Sequence, residues 1–306
     1  MDPLLVITNS DAGTADAQRL EGALDILRRS ASVEVSATSN PGELDGVLHR
    51  AGSRRIVVAG GDGSMHAVVA ALHRRHELAD RVLGLLPVGT GNDFARGNGI
   101  PLDVVEAAEL VLHGEPRPVD LLIDELGDIV VNNVHVGAGA QASRRGHRWK
   151  HRLGAVGVGK VNLGKLGYPI GALLAATHPP AVRLRVKVDG RVVNDLDRPV
   201  LMVALGNGAR VGGGTELNPD ADTEDGRIDV MISRSVGPFA KFAYVAHLSR
   251  GRHPERDDVV QLKGSTVAIT GEEFWCSADG EVHGPERRRT WRLEPAAYSL
   301  ILPPQG

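Results

Sequence analysis

The sequence predicts an α/β fold followed by a β fold: an N-terminal doubly wound α/β domain and a C-terminal, mostly antiparallel β-sandwich domain. Three observations carry this. Strand and helix patterns alternate through the first third of the chain, which argues a parallel sheet with helices on both faces. From about Val119 onward short strand patterns dominate. Two Gly-rich turns follow consecutive apolar strands, which places both at the sheet edge where ligands of such folds bind.

The elements follow in order. Leu4–Thr8 reads as a strand, and Asp16–Arg29 as a helix with Leu20, Leu24 and Leu27 on one face. Val33–Thr38 alternates like a strand, and Gly42–Arg50 is a short helix. Arg54–Ala59 is an unbroken apolar run behind a basic start, as in a buried parallel strand. Gly60-Gly61-Asp62-Gly63-Ser64 makes the turn into a helix beginning at Met65, with Ser64 placed to cap it. Val82–Leu86 is the next strand, followed by the turn Pro87–Arg96, where Thr90 can cap a further helix, and by a helix at Asp103–Leu112. The later strands are Val119–Ile123, Ile129–Val136, Val182–Val188, Val192–Asn194, Val200–Leu205, Ile228–Ile232, Val259–Leu262, Thr266–Thr270 and Ser299–Leu302. Asp189-Gly190 is a hairpin signal, and Asp279-Gly280 reads as a hairpin tip. The boundary falls near Val119, giving domains at 1–118 and 119–306, with the C-terminal tail free to return to the first.

Composition narrows the class. Apolar residues at 42% supply cores for domains of this size, and a net charge of −3 gives no global pull toward nucleic acid. Cys276 is the single cysteine, so no disulfide framework forms within the chain, and a buried structural thiol is the expected role. The N-terminus lacks the basic and apolar regions of a secretory signal. The weakly polar stretch from Gly154 to Thr177 is interrupted by Lys160, Asn162 and Lys165, against a transmembrane helix.

Charge is uneven. Between Asp128 and Asp189 there is no acidic residue, while ten basic ones occur, densest from Arg144 to Arg152 around Trp149. Such a segment attracts anionic surfaces, and the tryptophan suits the headgroup level of a membrane. A solvated helix face is the plainer reading. Nucleic acid is disfavoured, because no binding module is present and one aromatic is interleaved.

The chemistry-bearing residues sit on turns. Glycine lets backbone N–H groups approach an anion, and a helix start adds orphan donors and a positive dipole end. The Gly60–Ser64 turn is therefore built like a phosphate cradle. The Asp62 charge does not suit an anion, so Asp62 is expected to face a metal ion or to organise the loop. Asp220, Asp222, Glu224, Asp225 and Asp229 crowd one loop, which suits a hard cation through oxygen ligands. Asp279 and Glu281 put two carboxylates at an exposed tip.

Gly60–Ser64 followed by Pro87–Arg96 resembles the catalytic domain of the diacylglycerol and lipid kinase family. The first motif is shared with NAD kinases and phosphofructokinases; the second carries the specificity. The resemblance implies ATP as phosphoryl donor, Mg²⁺, a lipid acceptor in the β-rich domain, and a cytoplasmic protein in peripheral contact with an anionic membrane. A homodimer is compatible with it. It implies nucleotide contacts at Asn9, Gly13, Thr38, Gly60, Gly61, Gly63, Ser64, Gly89, Thr90 and Asn92. Ser10 stands where the family has proline. It implies a metal site from Asp222, Asp225 and the Arg227 carbonyl. It gives Glu281 the role of general base, with Asp279 and Asp62 as the further catalytic carboxylates. Two rivals remain: an NAD kinase-like enzyme, and a non-catalytic nucleotide or lipid binder on the same scaffold.

Overall fold

A computed structural model describes residues 3–10, 14–138, 140 and 181–304. Gly13 and the basic run at 144–165 lie outside the described residues. The chain divides into two compact units. The first is Met1–Leu121, Thr223–Asp225 and Glu294–Gly306; the second is Leu122–Asp222 and Gly226–Leu293.

The first unit is the α/β domain. It contains β1 (Leu4–Asn9), α1 (Thr14–Ser30), β2 (Val33–Thr38), α2 (Pro41–His49), β3 (Arg55–Gly60), α3 (Asp62–Arg74), β4 (Val82–Pro87), α4 (Asp93–Gly97), α5 (Val104–His113) and the start of β5 (Glu115–Asp124). β2, β1, β3 and β4 pair in that order, all parallel. The central strands carry unbroken apolar runs, as strands buried on both faces do; Ile56, Val57 and Val58 of β3 are fully buried. The chain end adds a further parallel strand, with Ser299 opposite Val82 and Leu300 opposite Leu83.

The second unit is the mostly antiparallel β domain. Its elements are β6 (Ile129–Val130), β7 (Asn133–Gly137), β8 (Leu184–Val188), β9 (Arg191–Asn194), β10 (Met202–Gly206), β11 (Arg210–Val211), β12 (Thr215–Glu216), β13 (Ile228–Ser233), α6 (Pro238–Leu248), β14 (Val259–Gly264), β15 (Thr266–Ala278) and β16 (Glu281–Leu302), whose residues from Glu294 belong to the first unit. β14, β13, β10, β7 and β15 pair antiparallel in that order, and β15 also pairs with β8 and β16. The period-two alternation sorts side chains onto two faces. Val134, Val136, Val203, Leu205, Val230 and Ile232 pack on one face. Met202, Ala204 and Met231 pack on the other, under Tyr244 and Leu248 of α6.

Three sequence expectations are corrected. α3 starts at Asp62 with Gly61 as its cap residue, and no side chain caps it, so Ser64 lies inside the first turn. Helical geometry begins as soon as the glycines allow it. α4 is capped from a distance, by Asp62, and not by Thr90. α6 lies in a region read as strands and loops: Pro238 at its first turn, followed by four residues of high helix tolerance among its alanines and lysine, starts it. Cys276 is buried in the sheet core, where burial pushes its thiol up to about 12, consistent with a structural role.

Candidate active site

In the first unit the candidate nucleotide residues gather at the C-terminal ends of the parallel strands. Asn9 and Thr38 are register partners at the ends of β1 and β2. Gly60 ends β3, and Gly89 follows β4. The two Gly-rich turns pack backbone against backbone. A Cβ on Gly89 would stand 2.5 Å from the Gly61 Cα, and one on Gly61 3.2 Å from the Gly89 Cα. A Cβ on Gly60 would meet the Ser64 side chain at 2.3 Å. Close approach therefore requires glycine at 60 and 89 and leaves little room for a Cβ at 61. Gly63 differs, because a Cβ there would face open space. The α3 start thus keeps its N–H donors free of any side-chain cap, with room beside Gly63, and this donor set fits a phosphate group.

Asp62 organises the turn. Its Oδ1 accepts the Phe94 N–H at 2.8 Å and its Oδ2 the Asp93 N–H at 3.1 Å. One carboxylate in the first turn of α3 therefore fixes the start of α4 in place. Asn92 holds the other side: it adopts a left-handed conformation at φ 53°, and its Nδ2 donates to the carbonyls of Pro87 and Gly89 at 3.2 and 2.8 Å. Its buried Oδ1 has no hydrogen-bond partner among the described residues. Thr90 is exposed on the same turn.

In the second unit the β15–β16 hairpin carries the two tip carboxylates. Asp279 and Gly280 both have positive φ, 46° and 91°, and Ala278 pairs with Glu281 across the two-residue loop. This is the backbone that a tight hairpin needs. The Asp279 carboxylate accepts three main-chain donors: Val131 at 2.7 Å, Asn132 at 2.9 Å and Asn133 at 3.1 Å. The Asp279 N–H in turn donates to the Asn133 carbonyl at 3.0 Å. The tip is so locked to the start of β7. Glu281 is exposed, and its side chain makes no hydrogen bond or ion pair among the described residues.

The acidic loop is partly committed to structure. Within the first unit Glu224 pairs with Arg117, and the Thr223 hydroxyl meets Asn98 at 2.6 Å. Within the second, Asp229 pairs with Lys263 at 3.1 Å. Asp222 and Asp225 are exposed, as is Arg227. Among the described residues no group of three or more His, Cys, Asp and Glu side chains is placed to hold a metal ion.

One cluster was not singled out from the sequence. Asn132, Asn133, His135 and Ser277 are buried beside Asp279. The available signal was polar residues inside the apolar run Val130–Val136, since buried polar groups are seldom placed without a partner or task. Burial pushes the His135 imidazole down to about 4 from 6.5, with the Asp279 charge opposing. His135 therefore stays neutral in the fold while the unfolded chain takes up a proton first as pH falls. Its cost to stability is absent well above pH 6.5, grows as pH drops below it, and saturates near pH 4. We expect urea unfolding at pH 7 and pH 4.5 to show a stability loss that shrinks by about 2–3 kcal/mol in His135→Gln.

Comparisons with known proteins give the family. Residues 3–123 match the diacylglycerol kinase catalytic domain, and residues 132–302 match the YegS C-terminal NAD kinase beta sandwich-like domain. These matches define the class, a kinase built from a catalytic α/β domain and a β-sandwich-like domain. A protein of Chromohalobacter salexigens named "Probable lipid kinase YegS-like" is 31% identical, covering 99% of this chain and 93% of that one. A diacylglycerol kinase of Bacillus subtilis is 31% identical over 75% of this chain and 71% of its own length. A solved diacylglycerol kinase structure from Bacillus anthracis shares the fold, with a TM-score of 0.76 at 22% identity over 99% of this chain and 98% of that one. The chain belongs to the lipid kinase family that holds the diacylglycerol kinases and the YegS-like proteins.

Proposed function

We propose that this lipid kinase transfers the γ-phosphoryl group of ATP to a lipid hydroxyl, with diacylglycerol as the acceptor and Mg²⁺ as the cation. The observation that carries the reading is the Asp279 clamp: three backbone donors fix a hairpin tip whose only exposed, unpartnered carboxylate is Glu281. Such a carboxylate can take the acceptor hydroxyl proton as the oxygen attacks phosphorus. The uncapped N-terminus of α3 and the Gly61 and Gly89 backbones supply donors for the phosphates. Asp62 and Asn92 hold those two turns in register. Asp222, Asp225 and the Arg227 carbonyl are the residues that would hold Mg²⁺, whose chemistry when bound is to offset phosphate charge.

The test is ATP consumption with Mg²⁺ in mixed micelles containing diacylglycerol, with NAD and a sphingoid base as parallel acceptors. Turnover that requires diacylglycerol supports the reading. Turnover with NAD alone moves the chain to the NAD kinase-like rival, and ATP binding with no turnover on any acceptor supports the non-catalytic one. In the same assay Asp62→Ala is expected to abolish turnover. It removes the acceptor of two N–H groups at the α4 start, at a cost of about 1–2 kcal/mol, and frees the second Gly-rich turn. Near-native turnover in that variant would remove Asp62 from the active arrangement.

A further inference from the structure

We propose that the outer face of α6 is a docking surface for a bilayer with anionic headgroups. This rests on the lipid-kinase reading, since a lipid acceptor has to be reached in its membrane. The chain has four phenylalanines. Phe94 and Phe274 are buried, as aromatic rings ordinarily are, whereas Phe239 and Phe242 are 88% and 73% exposed. They are the most exposed large apolar side chains among the described residues. Their spacing of three puts both rings on one face of the helix.

That face is not exposed for want of packing. The inner face of α6 is anchored: Tyr244 and Leu248 are buried, the Tyr244 hydroxyl meets the Met231 sulfur at 3.8 Å, and the Tyr244 ring stands edge-on to His253 with centroids 5.9 Å apart. His253 is itself tied to the Leu217 carbonyl at 2.8 Å. A helix fixed so firmly on one side presents its two phenylalanines outward as a fixed pair.

Charge complementarity selects the occupant. From Arg234 to Pro254 the chain has no acidic residue and carries Arg234, which is turned to the Asn194 side chain and the Val193 carbonyl, together with Lys241, Arg250 and Arg252. Arg250 is exposed and donates to the Ala246 carbonyl at 2.7 Å, which keeps its charge at the helix end. Arg252 is balanced by Glu255. Aromatic rings on one face with cations at the flank are the composition of a helix that lies in the headgroup boundary. Two exposed rings suit acyl chains better than a polar protein rim.

The test uses the full chain and vesicles of phosphatidylcholine with phosphatidylglycerol, free of ATP and diacylglycerol. Sedimentation should show binding that falls about tenfold or more in the double variant Phe239→Ser, Phe242→Ser. Lys241→Gln should weaken binding to the anionic vesicles and not to pure phosphatidylcholine. Turnover of a water-dispersed, short-chain diacylglycerol should be unchanged in the double variant. Unchanged vesicle binding in that variant overturns the proposal. So does a change from dimer to monomer in sedimentation velocity, which would assign the face to a second copy of the chain. Because the vesicle readout needs no catalysis, failure of the kinase reading shows only in the turnover assay and failure of this one only in binding.

Discussion

Glu281→Gln is expected to lower turnover by about 10²–10⁴ while leaving the fold and ATP binding intact. The fold should hold because the Glu281 side chain is exposed and bonds to nothing among the described residues, and exposed substitutions of that kind typically shift stability by about 0.5 kcal/mol or less. ATP binding should hold because the proposed phosphate donors belong to the turns after β3 and β4. Glutamine keeps the size and hydrogen-bonding reach of the side chain and removes its charge and its ability to accept a proton. The loss should therefore fall on kcat with little change in KM, the mark of a group that acts in the transition state. Steady-state kinetics in diacylglycerol micelles with matched thermal unfolding decide it. A variant with near-native kcat would take Glu281 out of the proton-accepting role.

Much of the fold was legible because its signals are local. The apolar runs Ile56–Ala59 and Leu83–Leu86 could only be strands buried on both faces, and the structure pairs them in parallel. The Asp189-Gly190 turn has the positive φ pair that its residues announced. Helix ends were less legible. Ser64 has the chemistry of a cap, but the three glycines before it let the helix start sooner, and the carboxylate that caps α4 comes from Asp62, 31 residues away from Asp93. α6 was missed because its valine, tyrosine and two phenylalanines look like strand formers in a strand-rich region. The sheet also runs further than its apolar pattern: β15 continues past Thr270 through a register shift, where alternation breaks and a period-based reading stops. In the site, residue types were legible and their engagements were not. The sequence marked Asp279 as a carboxylate of metal or geometry; the three donors it accepts lie 146–148 residues away.

Those donors set the expectation for Asp279. Asp279→Ala leaves the Val131, Asn132 and Asn133 N–H groups without their acceptor, at about 1–3 kcal/mol for each that water cannot reach. It also places a non-glycine, non-Asx residue at φ 46°, for about 1–2 kcal/mol more. Against a typical total stability of about 5–15 kcal/mol, that is a large drop in the unfolding midpoint, and turnover should vanish with the tip unlocked. Asp279→Asn separates the roles. Asparagine tolerates the left-handed backbone and keeps one oxygen, which can still accept from Asn132 and Asn133, as Oδ1 does now. Only the Val131 donor then faces an amide in place of an oxygen. A clamp therefore predicts that Asp279→Asn is clearly more stable and more active than Asp279→Ala, with the Mg²⁺ concentration for half-maximal rate unchanged. Thermal unfolding and a Mg²⁺ titration of turnover read both. If the asparagine variant folds as well as the native chain yet is as inactive as alanine, or needs far more Mg²⁺, Asp279 acts on the reacting groups themselves and the hairpin is held by something else.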